Sequence, residues 1–84
     1  MTAMARVTLY GKPGCCLCDE AREIVAGVRA STCFDLEEVD VSLDPALHRR
    51  YGERIPVLVV DGREAFELRV DPTALRELLG RVSA

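Results

Sequence analysis

Residues Lys12 to Glu20 read KPGCCLCDE, and three of the chain's four cysteines, Cys15, Cys16 and Cys18, fall within four positions of that stretch. It stands between a short β-branched run, RVTLY (residues 6–10), and an amphipathic run, EAREIVAGVRA (residues 20–30). Thiols crowded at a strand-to-helix junction admit three readings: a disulfide staple, a metal site, or a thiolate that does chemistry.

Spacing and bulk properties narrow these. The chain has 84 residues, 49% hydrophobic and 30% charged, which fits one small domain over residues 1–84 with one modest core. A chain this short hides only about 60–65% of its unfolded surface, so a staple would help. A disulfide framework, however, spreads its cysteines to close long loops, whereas here only Cys33 stands apart. The first ten residues show no charged-then-apolar leader, and no apolar run approaches the ~20 residues that span a bilayer. The expected location is the cytoplasm, where clustered thiols serve catalysis or metal binding more often than stapling. A net charge of −3 with no basic block speaks against a nucleic-acid or membrane surface.

Outward from the thiols, Arg6 to Tyr10 reads as a strand ended by Gly11, Pro13 and Gly14. Leu17, Ala21, Ile24, Val25 and Val28 recur at helical steps, with Asp19 and Glu20 suited to the positive first turn. Phe34 to Val41 is strand-like, but its apolar phase slips at Glu37-Glu38, which suggests a bulge or a late start at a sheet edge. Asp44-Pro45 opens a short helix that Gly52 closes, with Leu47 and Tyr51 on its inner side. Pro56 to Val60 (PVLVV) is apolar throughout, as a strand covered on both faces would be. Asp61-Gly62 is a hairpin turn, after which Phe66, Leu68 and Val70 alternate with charged residues. Asp71-Pro72 starts the last helix, whose buried stripe is Leu75, Leu78, Leu79 and Val82.

The order is therefore βαβαββα. A helix between the first two strands makes them parallel by a right-handed crossover, and the two-residue turn makes the last two antiparallel. The expected fold is α/β: one four-stranded mixed sheet with helices on both faces. Cys15 then lies just past the carboxyl end of a parallel strand, where open α/β sheets place their sites. The unpaired N–H groups of a helix's first turn favour negative charge there, and cysteines so placed titrate in the range of about 3.5–7.5 instead of ~8.5. Cys15 is the expected acidic thiol, with Lys12 as a nearby cation, and Cys18 is the expected resolving thiol inside the first turn. Cys16 reads as a passive side chain off the active face.

The stretch YGKPGCCLC (residues 10–18), the βαβαββα order and Ile55-Pro56-Val57 before an apolar strand resemble the thioredoxin superfamily. Size and the Tyr-x-Lys-x-x-Cys-x-x-Cys spacing are closest in kind to the glutaredoxins, and to the small bacterial glutaredoxin-like proteins with a KPGCxLC site. The resemblance covers nearly the whole chain. It implies a disulfide oxidoreductase in which Cys15 is the nucleophile and Cys18 resolves the mixed disulfide. It implies further that Pro56 is a cis proline facing them and that Ile55 pairs through its backbone with an extended substrate segment. Lys12 matches the lysine that holds a glutathione carboxylate, Tyr10 the aromatic residue two positions before it, and Asp71 the start of the helix that receives the γ-glutamyl end. Arg54-Ile55 stands where glutaredoxins carry Thr-Val, and Leu68-Arg69-Val70 where they carry Gly-Gly, so side chains crowd that glutathione site. The implied partners are a disulfide-bearing protein or small thiol and a reductase or thiol donor, glutathione being one candidate reductant. No resident cofactor, no metal and a monomer are expected.

A copper or zinc carrier, or an iron–sulfur protein using Cys15 of two chains, is the alternative for the same thiols. Such carriers place a Met before the motif and end on a strand, whereas this chain has Pro13-Gly14 and ends on a helix. Cys33 reads as a small buried residue, Phe34 and Phe66 as core, and His48, Arg49, Arg50 and Arg54 as a solvated face.

Overall fold

The structure, a computed structural model, describes residues 5–82; the expectations placed on residues 1–4 and on the side chain of Val82 lie outside the described residues. The β-branched run forms β1 (Arg6–Gly11), and α1 (Cys16–Arg29) follows the glycine-proline turn. Then come β2 (Asp35–Asp40), a single 3₁₀ turn (Val41–Leu43), α2 (Pro45–Tyr51), β3 (Val57–Val60), β4 (Arg63–Glu67) and α3 (Pro72–Val82). The four strands make one sheet in the order β2-β1-β3-β4. β1 and β2 are parallel, and β3 runs antiparallel to both β1 and β4. Among the described residues no helix is long and apolar enough to cross a membrane.

Side-chain alternation along β1 sorts the molecule into two cores. Val7 and Leu9 point with their partners Val60 and Leu58 toward one face, where Val25 and Val28 of α1 and Leu75 and Leu79 of α3 cover them. Each fully buried leucine there contributes about 1.5–3 kcal/mol. Tyr10 and its partner Val57 point the other way, toward Tyr51 of α2, Val41 and Ile55. Helices therefore lie on both faces. At the Asp61-Gly62 turn both residues have positive φ, 50° and 83°, which is the type I′ geometry that matches strand twist.

Three local expectations are corrected. The register of β2 runs unbroken from Arg6↔Asp35 to Gly11↔Asp40, so there is no bulge at Glu37-Glu38. The apparent slip arises because this edge strand serves both faces: Phe34 and Leu36 pack into the larger core and Val41, just beyond it, into the smaller. The irregularity sits instead in β4, where Leu58 pairs with Phe66 and Val59 with Glu64, leaving Ala65 extra. β4 stops at Glu67, and Leu68 is 47% exposed at φ 66°, a left-handed conformation that costs a leucine about 1–2 kcal/mol. What turns the chain there is the Leu68 N–H, which donates to the carbonyl oxygens of Pro56 (2.8 Å) and Arg54 (3.1 Å). Cys33 is exposed, because Phe34 beside it fills the core position. Gly52 closes α2 as expected, in a right-handed conformation; it is glycine for space, since a Cβ there would run into the His48 carbonyl oxygen.

Candidate active site

β1 ends at Gly11, Gly14 makes the turn at φ 78°, and Cys15 becomes the N-cap of α1 in an extended conformation. Its sulfur takes the place of a capping oxygen: Sγ accepts from the Cys18 N–H at 3.3 Å, while its carbonyl accepts from the Asp19 N–H at 3.1 Å. The C-x-x-C spacing thus puts the first sulfur among the unpaired amides of the first turn and the second beneath them. All four cysteines are thiols in this structure; Cys15 is half-buried, Cys16 exposed and Cys18 fully buried.

Burial pushes the Cys18 thiol up to about 11, and its hydrogen bond to Cys15 pushes the same way, while the Lys12 backbone N–H and the Arg22 guanidinium act against them. At neutral pH Cys18 is therefore a protonated donor beside the Cys15 sulfur. One thiol is open and presented to amides, and the other is closed off and holds its proton.

The surroundings are aromatic and cationic. Tyr10 stacks on Tyr51 with ring centroids 4.4 Å apart, and the guanidinium groups of Arg50 and Arg54 lie 5.3 and 5.4 Å from the Tyr51 ring. Burial first, and Tyr51 second, raise the Tyr10 hydroxyl above its ordinary value. Arg54 is not simply solvated: it bonds Glu64 at 2.7 Å, Glu67 at 3.3 Å and the Arg50 carbonyl at 3.2 Å. The Ile55–Pro56 bond is cis, the geometry the family resemblance implies for it.

Cys15, Cys18, Tyr10 and Ile55 thus come together in the smaller core. Lys12 follows β1 directly, and among the described residues its ammonium has no carboxylate within ion-pair distance. Asp71 stands at the start of α3, where its carboxylate caps the helix by accepting from the N–H groups of Thr73 (2.9 Å) and Ala74 (3.3 Å). Sequence reasoning missed Gly11, Arg22 and the partnership of Tyr51 with Tyr10. Arg22 stands at i+4 from Cys18, a spacing that places both on one helix face, and that signal was there to be used. Among the described residues no three His, Cys, Asp or Glu side chains gather as a metal site would require.

The family described as Glutaredoxin-like domain (DUF836) matches residues 6–80. An uncharacterized protein of Mycobacterium tuberculosis is 32% identical over 81 residues, covering 90% of this chain and 84% of that protein. Among solved structures, a structural-genomics target protein from X. campestris is 38% identical with a TM-score of 0.74, over 89% of this chain and 96% of that one. Protein Ne2328 from Nitrosomonas europaea, 24% identical, superposes with a TM-score of 0.79 over 93% of this chain and 94% of its own. A thioredoxin from Halobacterium salinarum, also 24% identical, has a TM-score of 0.70 over 98% of this chain and 77% of that chain. The last two bear on the fold alone.

Proposed function

Because this chain belongs to the glutaredoxin-like domain family and has a thioredoxin-like fold, we propose that it is a dithiol–disulfide oxidoreductase acting through Cys15 and Cys18. The observation that carries this reading is the unequal pair: Cys15 Sγ accepts from the first-turn amide of Cys18, while the buried Cys18 thiol keeps its proton until it is needed. A thiolate accepts that amide bond more strongly than a thiol does.

In the first half-reaction the Cys15 thiolate attacks one sulfur of a substrate disulfide. A Cys15–substrate bond forms, the substrate S–S bond breaks, and the other substrate sulfur leaves as a thiolate that takes up a proton. In the second, Cys18 gives up its proton and attacks the Cys15 sulfur, forming the Cys15–Cys18 disulfide and releasing the remaining substrate thiol. The substrate gains two electrons and the protein loses two, which a thiol donor or reductase restores. Ile55 and the cis Pro56 hold an extended substrate segment by strand addition, with Tyr10 and Lys12 at its flank. Leu68, Arg69 and Val70 carry side chains where glutaredoxins have glycines, and the Asp71 carboxylate is engaged in capping α3, which favours a donor other than glutathione.

The test is reduction of a protein disulfide with dithiothreitol as donor. Cys15→Ser abolishes turnover, and Cys18→Ser accumulates a covalent adduct on Cys15 visible by intact-protein mass spectrometry. A fully active Cys15→Ser protein ends this reading, as would near-stoichiometric metal protecting the thiols of the purified protein from alkylation.

A further inference from the structure

The second half-reaction asks a buried thiol to become an anion, and the molecule has to supply something that offsets the lost solvation. While Cys15 is free, its sulfur can receive the Cys18 hydrogen bond. Once Cys15 is tied up in a mixed disulfide, that partner has lost its negative charge.

Gly11 is the place to look. A Cβ built there would lie 3.1 Å from Cys18 Sγ and 4.0 Å from Arg22 Nη2, so the buried sulfur and the guanidinium border the same small gap. Arg22 stays beside it because it is held from two sides, by Asp19 at 2.6 Å within α1 and by Glu38 of β2 at 3.6 Å. Glu38 can reach because it pairs with Leu9 in the parallel register and so faces α1. A cleft of about 200 Å³ opens there, with Gly11, Pro13, Arg22, Glu38 and Asp40 among its walls.

The other charged or titratable groups around Cys18 do not fill the role. The Lys12 backbone N–H also favours the Cys18 anion, but it is a fixed neutral donor and supplies no charge; Cys15 is the attacked atom, Asp19 is committed to Arg22, and Tyr10 and Tyr51 stack on each other. The Asp40 carboxylate accepts from the Ser42 N–H (2.9 Å) and hydroxyl (2.6 Å).

We infer that Arg22 is a positioning residue for the second half-reaction: clamped between Asp19 and Glu38 at the gap left by Gly11, its guanidinium stabilises the Cys18 thiolate as that sulfur attacks Cys15. This rests on the dithiol reading above. The Cys18 proton passes to water in the cleft, the Cys15–Cys18 bond forms, the bond from Cys15 to substrate breaks, and the departing thiolate takes a proton from water.

The experiment uses full-length protein carrying Cys16→Ser and Cys33→Ser. Cys15 is loaded with thionitrobenzoate from dithiobis-nitrobenzoate at acidic pH, the pH is raised, and release of the coloured thiolate by Cys18 is followed by stopped flow. Arg22→Gln slows release about three- to tenfold at neutral pH and moves its pH profile upward, since one unit of thiol pKa is tenfold in thiolate. Arg22→Lys restores most of the rate. Release at an unaltered rate in Arg22→Gln overturns the inference, and so does a slower rate with an unshifted pH profile, which marks a merely structural effect. If the parent protein itself never releases the loaded group, the dithiol reading falls and takes this inference with it; the two failures are thus told apart.

Discussion

The larger core, between the sheet and helices α1 and α3, has Phe34 as its one aromatic buried member among the described residues, with Phe66 packed against it, and no polar side chain is buried in it among those residues. The smaller core, at the end of the sheet where β1 gives way to α1, contains Cys18 and Tyr51 and packs against Tyr10 and Cys15. Both exclude water, yet they use the exclusion differently. In the first, burial stabilises the fold. In the second, burial also sets the protonation state of a thiol.

The sharpest way to separate the two is to damage the first without touching the second. Leu75→Ala, in α3 and fully buried, costs about 2–5 kcal/mol by urea unfolding. Under conditions where the variant is folded, the alkylation rate of Cys15 stays at the wild-type value; a changed rate would show that the cores are mechanically one. A smaller effect comes from the thiol itself. The buried Cys18 holds its proton up to about 11, against an ordinary 9.0 when unfolded. The unfolded chain therefore releases that proton first, and stability present below the ordinary value is lost as pH rises from 9.0 toward about 11. The loss is on the order of 3 kcal/mol, and Cys18→Ala removes it, so urea unfolding at neutral and alkaline pH gives the variant the shallower dependence. Equal slopes would deny that burial controls the thiol. Smallest of all is Cys33→Ser, which belongs to neither core: unfolding free energy moves by less than about 0.5 kcal/mol.

Much of this was legible in the residues. Helical spacing of Ala21, Val25 and Val28, the Asp-Pro helix starts and the Asp-Gly turn all carry their geometry locally, and each was found where the pattern put it. What local patterns could not carry was the strand with two half-covered faces. β2 looked broken because apolar residues faithful to opposite faces read, one after another, as a slip. Leu68 continued an alternation that a pair of hydrogen bonds to Arg54 and Pro56 had already stopped, and those partners lie more than ten residues away. At the site, Cys15, Cys18 and the Ile55-Pro56 bond were named from sequence, whereas the clamp on Arg22 depends on Glu38 crossing from another element. Strand order alone brings them together.

The position of β2 has one more consequence. It is an outer strand, and Asp35, Glu37, Glu38 and Asp40 make four of its six residues acidic. An open strand edge invites a second copy to extend the sheet, and a row of like charges makes that mutual approach repulsive. The acidic border thus works as colloidal protection for a chain whose chemistry, in the reading given above, requires that another polypeptide pair with it elsewhere. Pairing of two copies through β2 is disfavoured most at low ionic strength, where the charges are least screened.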